Sequence, residues 1–126
     1  MDITVKKFVL RYETLANKAI KLNQSYLSLL KIYQELNFAP DLVSELDKTG
    51  NSLSKVIASM QKDQKVIQNN FTHLAGLIAK FQSYFPTNPE AEQLKAIAHD
   101  CQVMTNFIQS INLADLQKMF IKISNL

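Results

Sequence analysis

A chain of 126 residues is one domain by size and long enough to bury a core without disulfides or metal staples. Two glycines and three prolines are too few for the frequent turns of an all-β or α/β fold, so the composition selects long helices. The net charge is +3, but Arg11 is the one arginine among 14 basic residues, and the scarcity of bidentate guanidinium groups argues against a nucleic-acid reader.

The single cysteine, Cys101, rules out an internal disulfide and suits a reducing compartment. The start, Met1-Asp2-Ile3-Thr4-Val5-Lys6-Lys7, has no apolar leader core. No stretch of eighteen apolar residues is present to cross a bilayer. The expected location is the cytoplasm.

The first predicted element is a helix over residues 4–36. Apolar residues recur in steps of three and four at Val5, Phe8, Tyr12, Leu15, Ala19, Leu22, Tyr26, Leu29, Tyr33 and Leu36. That repeat is the seam of a long helix packing on other long helices. Val9, Leu10, Ala16, Ile20, Leu27, Leu30 and Ile32 widen the stripe, so the helix is expected to touch two neighbours rather than one.

Pro40 closes this helix and opens a short one over residues 41–48, with Asp41 and Glu45 near its positive end. Gly50 fits the stop, and Asn51 or Ser52 the next cap. A second long helix follows over 52–85. Its seam is Leu53, Val56 or Ile57, Met60, Gln64, Ile67, Phe71, Leu74, Ile78, Phe81 and Phe85, with a stutter near Gln64. Gly76 inside it costs up to about 1 kcal/mol against alanine, which implies close approach of another backbone. Gln64 and Thr49 are polar where the seam is apolar, and they either set register or mark a dimer contact.

Pro86-Thr87-Asn88-Pro89 is the clearest break. Asn88 is the expected cap and Pro89 the first residue of a helix over 89–125, with Leu94, Ile97, Cys101, Met104, Ile108 and Ile111 on its seam. The register slips after Ile111, and Asn112 with Asp115 suggests a kink or short break there. The predicted fold is all-α: residues 1–126 form an up-down-up bundle of three long helices with a short connecting helix. A four-helix bundle broken near Asn112 is the alternative. The arrangement is similar to that of spectrin-like and other three-helix coiled-coil modules.

Chemistry is harder to find. The two glycines, Gly50 and Gly76, form no phosphate loop. His99-Asp100-Cys101 are consecutive, and neighbours on a helix point about 100° apart, so they cannot converge. No Glu-x-x-His pair supports a di-metal bundle. The expectation is a non-enzymatic protein with no cofactor, no metal and no small-molecule substrate. Its partner is another protein or a second copy of itself, and it serves as an adaptor, a scaffold subunit or an inhibitor or immunity-type partner.

The candidate contacts are Leu116, Met119, Phe120 and Ile123, because the last segment is apolar on more than one face and so is either central in the bundle or docked outside it. Tyr26 and Tyr33 are secondary candidates, since tyrosine suits interfaces as well as cores. A second function class rests on Lys6, Lys7, Arg11, Lys18 and Lys21, which give the first helix a basic side for an anionic membrane surface.

Overall fold

The computed structural model describes residues 3–36, 39, 41–42, 45 and 53–124. Four long helical segments account for nearly all of them: α1 (Ile3–Leu36), α2 (Leu53–Tyr84), α3 (Ala91–Gln109) and α4 (Leu113–Ser124). No strand occurs among the described residues. Asp41, Leu42 and Glu45 are helical, in keeping with the short connecting helix, while Thr49, Gly50 and the proposed cap at Asn51 or Ser52 lie outside the described residues.

The bundle runs up, down and up. Phe8 near the start of α1 meets Phe81 near the end of α2, with ring centroids 5.7 Å apart, so these helices are antiparallel. Tyr33 near the end of α1 meets Phe120 of α4 at 5.8 Å, so the third rod returns parallel to α1. That rod is α3 and α4 end to end, each packed on both α1 and α2. The all-α three-rod architecture is therefore the one the periodicity predicts, with the third rod bent.

The seams explain this packing. On α1, Val5, Leu15, Ala19, Leu22, Leu29 and Leu36 are buried, and Phe8, Tyr12, Tyr26 and Tyr33 pack half-buried against them. On α2 the buried set is Ile57, Met60, Ile67, Phe71, Leu74 and Ile78, and α3 adds Leu94, Ile97, Cys101 and Ile108. Each fully buried Leu, Ile or Phe contributes roughly 1.5–3 kcal/mol. Ile57, not Val56, takes the seam position at the start of α2, and Phe85 at its end is exposed. The widening of the α1 stripe is partial. Val9, Ala16, Leu30 and Ile32 pack against the core, but Leu10, Ile20 and Leu27 are exposed.

Three local expectations are corrected. A Cβ added at Gly76 would meet nothing within 4 Å, so no backbone approaches there and the glycine is unnecessary for packing. Helix α3 begins at Ala91 rather than Pro89. The Ala91 N–H donates to the Asn88 carbonyl at 3.1 Å and the Glu90 N–H to Asn88 Oδ1 at 2.7 Å, which makes Asn88–Ala91 a turn ahead of the helix. The third rod is not one helix over 89–125, and the short break suggested after Ile111 is present. It breaks at Ser110–Asn112, where the Asp115 N–H donates to Asn112 Oδ1 at 3.1 Å. Asn112 Nδ2 returns the bond to Asp115 Oδ2 at 2.8 Å, a reciprocal cap that starts α4.

Gln64 completes the break. Its Nε2 donates to the carbonyls of Ile108 at 2.7 Å and Ile111 at 2.8 Å, groups that a continuous helix would pair with its own backbone. The polar seam residue of α2 therefore sets register inside the chain.

Candidate functional site

The residues singled out on the last segment turn inward. Leu116 and Phe120 are each 1% exposed and Ile123 is 3% exposed, whereas Met119 is 37% exposed. This corrects the candidate contact set, because three of its four members on α4 are core. The reason is that α4 closes against α1 and α2 at once and needs apolar groups over much of its circumference. Gln117 Nε2 also reaches the Ser54 carbonyl of α2 at 3.4 Å. Tyr33 stands edge-on to Phe120 with an interplanar angle of 78°, and Tyr26 is half-buried against the core. Both tyrosines line the bundle and do not form a separate surface patch.

The cysteine cluster does not assemble either. Cys101 is buried while His99, Asp100 and His73 are exposed. Burial, followed by the negative charge of Asp100, pushes the Cys101 thiol up to about 11, and a thiol of that kind stays protonated and inert at neutral pH. Burial also raises the Tyr12 phenol, with smaller contributions from Asp100 and Cys101. Among the described residues no three His, Cys, Asp or Glu side chains are grouped to hold a metal ion. No described helix is long and apolar enough to cross a membrane.

A groove lies at the surface between α1 and α2. Three depressions of ≈320, ≈400 and ≈550 Å³ follow one another along it. Lys18 is shared by the first two, and Lys21, Ser25 and Met60 by the last two, so they form one groove. Its α1 wall runs from Leu10 through Arg11, Lys18 and Ser25 to Leu29, and its α2 wall carries Val56, Asp63, Val66 and Asn70.

The groove exists because of side-chain length and polarity. Residues of α1 that flank the seam toward α2 are Thr14, Lys18, Lys21, Ser25 and Ser28, which are short or extend to water. None can fill the space between the helices. The floor residues Leu22, Leu29, Met60 and Ile67 are themselves buried core, at 6–7% exposure. Val66 (57%) and Val56 (44%) stand exposed on the α2 wall.

The walls differ in charge. Arg11, Lys18 and Lys21 lie on the α1 side, and Asp63 is the one acid lining the groove. The salt bridge described in the chain, Lys95 to Glu92 at 3.5 Å, involves none of them. Sequence reasoning placed Lys18, Lys21 and Arg11 on a basic face and Met60 on the seam, but missed Val56 and Val66 as surface features. The available signal was the off-seam position of Val66, and its meaning depends on how far apart α1 and α2 stand. No protein-family model, curated protein or solved structure matches the chain.

Proposed function

We propose that the protein is a non-enzymatic protein–protein interaction module, working as an adaptor, a scaffold subunit or an inhibitor or immunity-type partner. The observation that carries this reading is the groove between α1 and α2, where the exposed Val56 and Val66 face a wall of basic side chains and leave hydrophobic surface uncovered. A groove of this form suits a partner helix laid between two others. Docking in this reading runs through the exposed Val56 and Val66 rather than through the buried face of α4.

The test is parallel affinity capture from lysate of the native source with the wild type and with Val66→Glu. Val66 is exposed, so the substitution leaves the bundle folded, which circular dichroism checks. A stoichiometric partner held by the wild type and lost by the variant is the expected result. Folded bait that captures nothing, and stays monomeric in sedimentation, overturns the reading.

A second reading is favoured by the exposure of Lys6, Lys7, Arg11, Lys18 and Lys21 on one helix. It makes α1 a surface for anionic lipid. It expects salt-sensitive binding to anionic vesicles that weakens when Lys7, Arg11 and Lys18 are reversed to glutamate, and insensitivity to those changes removes it. The recessed floor of the groove is out of reach of a flat bilayer, which places the protein partner ahead.

A further inference from the structure

Resting on the interaction reading, we infer that the partner element seated in the α1–α2 groove is an acidic amphipathic helix of about twenty residues. Its length follows from the groove, which spans Leu10 to Leu29 along α1, or about 30 Å at the helical rise per residue. Its shape follows from the walls. Two antiparallel helices with a gap between them accept a third rod in the same way the interior of the bundle does, with side chains seated between side chains. An extended strand is a poorer occupant, because no sheet edge is present among the described residues to pair its backbone.

Its apolar stripe follows from Val56 and Val66, which stand exposed on the α2 wall above the buried Leu22, Leu29, Met60 and Ile67. Its charge follows from the α1 wall. Arg11 and Lys18 are seven residues apart, with Lys21 three further on, so cations recur along one side of the groove. Carboxylates repeated at the same intervals on the occupant would meet them. Asp63 on the opposite wall is a single counter-charge and orients the occupant with its acidic side toward α1. A second copy of this chain is a poor occupant, since two such grooves face to face would set Lys18 and Lys21 against their own kind.

The experiment is a display selection on the intact chain. The library holds helices of about twenty residues with fixed apolar positions at three- and four-residue steps and flanking positions drawn from Glu, Gln and Lys. The expected result is enrichment of Glu on one flank. The best peptide, made synthetically, should lose at least about tenfold in affinity against Lys18→Glu/Lys21→Glu and against Val66→Glu, and should weaken as salt is raised. All three substituted positions are exposed, and matched circular dichroism and melting confirm that the variants remain folded.

Enrichment of Lys, enrichment without charge bias, no enrichment, or survivors indifferent to both variants overturns the inference. So does binding to anionic vesicles that depends on Lys18 and Lys21 but not Val66, which assigns the basic wall to lipid. A native partner that is lost on Val66→Glu while selected peptides show no acidic bias leaves the interaction module standing and removes only this inference. An empty capture together with an empty selection removes both.

Discussion

Gln64 occupies a position where the seam of α2 asks for an apolar side chain, and both hydrogens of its amide nitrogen are used on carbonyls of the third rod. Without it those carbonyls keep only the longer bonds from the Ile111 and Leu113 N–H groups, at 3.2 and 3.1 Å. Gln64→Ala is expected to destabilise the fold by about 1–3 kcal/mol, read by urea denaturation. An unchanged midpoint would mean that solvent takes over both bonds. The sequence marked Gln64 as out of pattern but left register and dimer contact equally open. Its acceptors belong to a break more than forty residues away, and no local pattern connects the two.

Cys101 carries a pH signature. Its folded pKa is about 11 against an ordinary 9.0, so the folded state holds the thiol proton more tightly than the unfolded chain does. The corresponding stability is fully present below pH 9 and is lost as pH rises toward 11. Tyr12, also raised, adds a loss of the same sign at higher pH. At ~1.4 kcal/mol per unit, the cysteine accounts for at most about 3 kcal/mol. Melting curves of the wild type should fall more steeply over this range than those of Cys101→Ala. Parallel slopes would show that the thiol is not buried in solution.

At the scale of elements, period was legible and surroundings were not. The three- and four-residue steps identified which face of each helix is apolar, and those faces are the ones buried on α1, α2 and α3. They did not say what lies opposite. Gly76 was expected under another backbone and faces open space, because a glycine within a helix looks the same in sequence whether it is crowded or idle. Gly76→Ala should therefore raise stability by about 0.5–1 kcal/mol, moving the melting temperature up by a few degrees. A decrease would reveal a contact in solution at that point.

Helix α4 shows the same limit. Its apolar circumference fits a central helix and a docking helix equally well, and only the packing of Phe120 against Tyr33 decides for the centre. Phe120→Ala should cost about 3–5 kcal/mol, while Met119→Ala, one residue away, should stay within about 0.5 kcal/mol. Equal losses in thermal denaturation would contradict the burial difference between them.

For the whole molecule, α1 and α2 are the shared elements, since they pack on each other and each packs on both α3 and α4. Unfolding should then be a single transition. Three of the four tyrosines lie on α1, so tyrosine fluorescence follows that helix while circular dichroism follows the bundle. The two melting curves should coincide, and an earlier fluorescence change would identify α1 as a separately unfolding piece. The groove also belongs to this scale. Its basic wall was legible from Arg11, Lys18 and Lys21, but its depth was not, because it depends on the spacing of two helices whose facing residues are short.

The unequal packing of α2, more extensive on α3 than on α1, has a consequence for a divided chain. Cut between Leu36 and Leu53, the protein becomes a helical hairpin with an unfilled seam and a single free helix that matches it. Folding then turns into a bimolecular association. The first helix is a ligand, its dissociation constant measures the interface that the intact chain conceals, and competing peptides can be ranked by how well they replace it.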